Sequence, residues 1–182
     1  AMPDLTAALP SALRAASRVT RLSDHDVPAL LAHPDWEGGE RVPLVLWMHG
    51  RTVTKEIDPG RYLRWIRAGI GVCALDLPGH GERFDAALQT PDRTLDVVLG
   101  MAAEIDDVLA AALEAGNFDP ERVAIGGMSA GGMATLTRLV HPHTFRCCSV
   151  EGTTGSWRHQ ADRAMFRGQA DARIREHDPI RH

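Results

Sequence analysis

Apolar and polar residues alternate along this chain in blocks of two periods. "SRVTRL" and "VPALLA" flank the polar stretch "SDHD", which predicts two strands joined by a turn. "VPLVLWMHG", "IGVCALDLPGHGER", "RVAIGGMS" and "FRCCSVEG" each contain a short apolar run. Runs of that kind suit strands buried on both faces of a parallel sheet. Between them lie helical patterns. "DPGRYLRWIRAG" has a helix start at Asp58-Pro59 and a stop at Gly69. From Thr94 to Gly116, Val98, Met101, Ile105, Val108 and Ala112 recur on one helical face. "AGGMATLTRLV" predicts a further helix, and residues 4–16 carry a weaker helical pattern. Strand and helix therefore take turns, which predicts an α/β domain with a mostly parallel sheet and helices on both faces.

A length of 182 residues suits one domain with a real core. The net charge of -4 argues against an electrostatic nucleic-acid binder. No apolar run approaches the length of a membrane span. The first 18 residues lack the apolar centre of a secretory signal, and Ala1 before Met2 reads as a remnant ahead of the natural start. Cys73, Cys147 and Cys148 show no framework spacing, so they are expected to be reduced, core-filling thiols in a cytoplasmic protein.

The chemistry concentrates at "GGMSAGG". Gly127-Met128-Ser129-Ala130-Gly131 is G-x-S-x-G, placed after a buried strand and before a helix. A tight turn there lifts the serine into the open, and small neighbours let the helix pack close. The helix start behind it favours developing negative charge. Ser129 is therefore the candidate nucleophile, against a structural Gly-Ser turn.

"LVLWMHG", "LDLPGHGER" and "GGMSAGG", in that order, resemble the α/β-hydrolase family. With "HGRTVTKE" and "GMSAGGMATL" they look like small bacterial serine esterases near the dienelactone-hydrolase and prolyl-oligopeptidase branch. The resemblance implies that Ser129 attacks an acyl carbonyl. It implies backbone N–H donors to the oxyanion from Ala130 and from Arg51, after His49-Gly50. It also implies a small ester substrate and needs neither metal nor organic cofactor. Serine rather than aspartate at the nucleophile position disfavours dehalogenase and epoxide-hydrolase chemistry.

The family's acid and histidine follow two later strands, which this chain is not expected to contain. Residues 153–182 read as one or two connecting or lid helices, with Trp157, Met165 and Phe166 available to touch a substrate. The expectation is a single domain over 1–182 that lacks the last two strand–helix units and is inactive alone. It would take a companion C-terminal polypeptide or self-associate through an exposed sheet edge. His49 and His80 read as loop histidines, and His141 and His143 as solvated. His159, His177 and His182 could fold back toward Ser129. Glu151 could orient a histidine or line the pocket with His49, Gly50 and Trp157. Asp76 reads as a loop organiser with Arg83 paired to such a carboxylate, and Arg51 could meet an anionic group or stay solvated. A hydrolase fold without catalysis, serving as a binding module, is the competing reading.

Overall fold

A computed structural model describes residues 5–182; Ala1 and the first residue of the 4–16 pattern lie outside the described residues. Six strands form one sheet: β1 (Ser17–Leu22), β2 (Val27–Ala32), β3 (Val42–Met48), β4 (Gly71–Leu75), β5 (Phe118–Met128) and β6 (Cys147–Glu151). Their order is β1-β2-β4-β3-β5-β6. The β3–β4, β3–β5 and β5–β6 pairs are parallel, and β1–β2 and β2–β4 are antiparallel. This is the mixed, mostly parallel sheet that the apolar runs predicted. Ser23 and Asp26 take positive φ in the β1–β2 turn, as the polar "SDHD" stretch allows.

Helices cover both faces. On one side, α1 (Ser11–Ala16) and α2 (Pro59–Arg67) bury Leu13 and Tyr62 against Leu30, Trp47, Val72 and Ala74. On the other, α3 (Thr94–Ala115) and α4 (Ala130–Leu139) close the larger core. Val98, Met101, Ile105, Val108 and Ala112 are all buried, so the helical spacing in the sequence marks the packed face of α3. β2 and β4 are buried at every residue, because each has a neighbour strand on both edges and helices above and below.

β6 breaks that rule. Among the described residues it pairs only with β5, and all its residues except Val150 are exposed. Cys147 and Cys148 are therefore exposed, not core-filling as the apolar run suggested. Periodicity identifies a strand but says nothing about whether anything covers it. Cys73 is buried, and burial pushes its thiol far above the ordinary value.

The expected tail helices reduce to one regular helix, α5 (Asp171–His177), with turns around it. Trp157, Phe166 and Ile174 are buried in the α3/α4 core rather than facing a substrate. The Trp157 and Phe166 rings lie 6.1 Å apart. Asp178, also buried, accepts hydrogen bonds from the Trp157 amide at 2.9 Å and the Arg158 amide at 3.1 Å. Arg173 reaches Asp96 near the start of α3 at 2.5 Å, so the segment is strapped down. Asp178→Ala leaves a buried N–H without an acceptor and is expected to cost about 2 kcal/mol in urea unfolding. Faster proteolysis within residues 158–182 should accompany that loss.

Candidate active site

Ser129 sits between the end of β5 and the start of α4, with φ 51° and ψ -114°. An L-residue adopts that backbone only under constraint. The constraint is a close approach. A Cβ on Gly131 would enter the Met48 carbonyl oxygen, and one on Gly127 would lie 2.5 Å from the Gly131 carbonyl carbon. Only hydrogen in place of both side chains lets α4 begin so near β3. Three bonds then fix the corner. The Ser129 amide donates to the Glu151 carbonyl at 2.8 Å, and the Gly131 amide to the His49 carbonyl at 3.2 Å. Thr153 Oγ1 donates to the Ser129 carbonyl at 2.9 Å.

The Ser129 side chain is half-exposed at this corner. Ala130 is the first residue of α4, so its N–H has no carbonyl within the helix to bond. The loop after β3 lies alongside: a Cβ on Gly50 would sit 3.4 Å from Ser129 Cβ. That loop is itself constrained, since Thr52, a β-branched residue, has φ 64°. Among the described non-glycine residues, positive φ occurs only in the β1–β2 turn and at these two positions.

His49 anchors the loop. Its Nε2 accepts from the Leu77 amide at 3.1 Å, which leaves the proton on Nδ1 for the Gly50 carbonyl at 2.5 Å. Both ring nitrogens are thereby committed and the ring is fully buried, so His49 builds the loop and is no base for Ser129. The Arg51 guanidinium donates to Thr94 Oγ1 at 2.9 Å and to the Leu88 carbonyl at 3.0 Å. Burial lowers its pKa, with Asp92 opposing. Its side chain thus ties the loop to α3 instead of standing in solvent.

A group that sequence reasoning missed closes the far end of the same loop. Lys55 is 1% exposed, and its ammonium meets Asp76 Oδ2 at 2.9 Å, Glu56 at 3.0 Å and Glu82 at 2.5 Å. Its amide donates to Asp76 Oδ1 at 2.9 Å, and Tyr62 donates to its carbonyl at 2.8 Å. Burial works against the Lys55 charge, but Glu82, Asp76 and Glu56 hold its pKa above the lysine value. Burial likewise opposes the Asp76 charge, yet the His49 ring, the Lys55 amide and the Lys55 ammonium together hold that carboxyl at about 2. His49 Nε2 lies 3.6 Å from Asp76 Oδ1. Asp76 organises the loop as expected. Arg83 pairs with Glu104 at 2.8 Å and also donates to the Asp76 carbonyl.

The remaining candidates stand apart from the serine hydroxyl. Glu151 holds Arg61 in a two-point pair at 2.7 and 2.8 Å, and that bond lowers its pKa. Its carboxylate is therefore engaged with α2 rather than orienting a histidine. His80 gives Nδ1 to the Pro78 carbonyl, and its buried Nε2 has no partner; burial lowers its pKa. His159 pairs with Ser156 and His182 with the Glu176 carbonyl, so neither folds back. His177 faces Glu176, and His141 and His143 are exposed. Among the described residues no cluster of His, Cys, Asp or Glu could hold a metal ion. No helix among them is long and apolar enough to cross a membrane.

The profile of the prolyl oligopeptidase family matches residues 64–174. The esterase YjfP of Escherichia coli is 29% identical over 67% of the chain, a match that covers 49% of that esterase. The chain thus spans about half the length of this curated relative. In structure it resembles a puromycin-hydrolyzing peptidase of Mycobacterium tuberculosis, with TM-score 0.71 and 21% identity over 92% of this chain and 29% of that one. It also resembles an acylaminoacyl peptidase of Pyrococcus horikoshii, with TM-score 0.66 and 18% identity over 90% of this chain and 29% of that one.

Two measurements test the site's mechanics. Ser129→Gly relieves the backbone strain and should stabilise the chain by about 1 kcal/mol in chemical unfolding. Ser129→Ala, which keeps the Cβ, should not. Asp76 is depressed from 3.8 to about 2, so its stabilisation is present above pH 4 and is lost as pH falls toward 2. That swing is about 2 kcal/mol. Lys55→Met strands the buried Asp76 carboxylate, should cost about 3 kcal/mol at pH 7, and should flatten this acid dependence in a stability–pH profile.

Proposed function

Because the chain belongs to the prolyl oligopeptidase family, whose α/β-hydrolase fold it shares, we propose that it carries the nucleophile of a serine hydrolase acting on small carboxylic esters. The observation behind this reading is Ser129 itself, strained at φ 51° with its side chain at the mouth of α4. Backbone strain of this kind at a strand-to-helix corner clusters at active sites. Ser129 Oγ attacks the acyl carbonyl and forms an acyl-enzyme, releasing the alcohol; water then attacks the acyl carbon and releases the acid. The oxyanion is received by the amides of Ala130 and Arg51, each worth about 3 kcal/mol if fully aligned. Acyl transfer of this kind draws on no metal and no organic cofactor.

The serine proton needs an acceptor, and no histidine among the described residues hydrogen-bonds Ser129. We assign the base and its orienting carboxylate to polypeptide outside these residues. Ester substrates are favoured by the relation to an esterase. The cytoplasm suits a chain with two exposed, unbridged thiols. The second reading, a binding module without catalysis, draws on the same uncommitted Ser129.

A fluorophosphonate probe with adduct mapping by mass spectrometry separates the two. Labelling of Ser129 is expected once the rest of the hydrolase domain is supplied, and Ser129→Ala should abolish it. The 182 residues alone should turn over p-nitrophenyl acetate no faster than their Ser129→Ala variant. No adduct in the completed domain means the non-catalytic reading is right.

A further inference from the structure

The two glycines that admit α4 permit the Ser129 corner, but they leave its rotation open. Holding φ 51° and ψ -114° takes a grip on each peptide group of that residue. Rotation about N–Cα moves the N–H and rotation about Cα–C moves the carbonyl, so anchoring both groups sets both angles. Both grips come from one short segment. The Ser129 amide donates to the Glu151 carbonyl at 2.8 Å. Thr153 Oγ1 donates to the Ser129 carbonyl at 2.9 Å. That carbonyl has two lone pairs, and the other takes the Met133 amide at 2.9 Å. The Met133 bond ties the carbonyl to its own helix. The Thr153 bond ties it to the end of β6, the strand that also holds the amide.

Two further glycines serve this segment. Gly152, between the two grips, has φ 54°, which turns the chain so that Thr153 returns over Ser129. A Cβ there would meet open space, so the backbone conformation, and not crowding, calls for glycine. Gly132 stands outside G-x-S-x-G. A Cβ on it would lie 2.8 Å from Thr153 Cβ and 3.0 Å from the Gly127 carbonyl oxygen. Thr153 thus packs on the first turn of α4 in the room that Gly132 leaves. Among the described residues its hydroxyl donates to the Ser129 carbonyl alone.

We propose that Thr153 is a positioning residue for the nucleophile: with the Glu151 carbonyl it clamps both peptide groups of Ser129 and so sets the direction of Oγ. The purpose of the clamp rests on the serine-hydrolase reading, while the clamp itself is a matter of backbone geometry. Thr153 meets the Ser129 carbonyl and not its hydroxyl, so it acts on the nucleophile through the backbone. A side chain leaves Cα in a direction fixed by its two peptide planes. Turning either plane sweeps Oγ away from the Ala130 amide at the start of α4.

A double-mutant cycle in urea unfolding of the 182-residue chain tests the clamp without catalysis. Ser129→Gly is expected to raise the midpoint, because glycine takes this backbone without strain. On a Thr153→Val background the same substitution should raise it less, since a serine released from the clamp has already relaxed. Thr153→Ser keeps the hydroxyl and should restore the full rise. Thr153→Ala removes the hydroxyl without adding a methyl in its place and should match Thr153→Val. A threonine that only packs gives equal rises on every background, and that result overturns the proposal. In the completed hydrolase domain, Thr153→Val should slow fluorophosphonate labelling of Ser129 about tenfold, with recovery in Thr153→Ser. A labelling rate unchanged by Thr153→Val also overturns it. Absence of any adduct in the unsubstituted domain removes the hydrolase reading instead, and the cycle alone then decides the clamp.

Discussion

The site depends on one steric constraint: α4 begins against the backbone of β3. With hydrogen at Gly131 and Gly127, the helix start, the Met48 carbonyl and the corner at Ser129 fit together. A methyl group at either glycine would push α4 outward. The turn would then relax, and Ser129 would lose both its unusual φ and its place at the helix start. The neighbouring loop depends on the same approach. The Gly131 amide reaches the His49 carbonyl only because the helix is so near, and this bond sets the β3 loop beside the serine.

The loop is held from three sides by interactions of different kinds. His49 fixes its start through a ring with both nitrogens bonded, Arg51 ties its middle to α3, and Lys55 locks its end against the buried Asp76 carboxylate. Arrangement before substrate arrives is what gives amide dipoles their value toward a developing oxyanion. The buried lysine is the costliest part, because removing it from water is repaid only by good geometry with several partners. Its three carboxylates and its capped backbone meet that condition.

The sequence made the strands, the long helix and the nucleophile corner legible, because each rests on local chemistry. Apolar runs, helical spacing and a glycine-flanked serine carry their meaning within a few residues. Lys55 was not legible, since a lysine in "HGRTVTKE" looks like any surface cation until Asp76 and Glu82 arrive from another strand end. Trp157 was misjudged for a similar reason. Its burial depends on Phe166 and Asp178 folding back over α3, and no short-range pattern announces that. Cys147 and Cys148 erred in the other direction. An apolar strand implies a cover, but the cover is not encoded in the strand.

The pairing of Arg61 with Glu151 has a mechanical consequence. Glu151 offers its carboxylate to α2 and its carbonyl to the Ser129 amide. One residue therefore works as a lever with an arm on each side. Through it, α2 and the backbone under the nucleophile are joined. The nucleophile corner is thereby tied to the opposite face of the sheet through a residue whose side chain is engaged elsewhere.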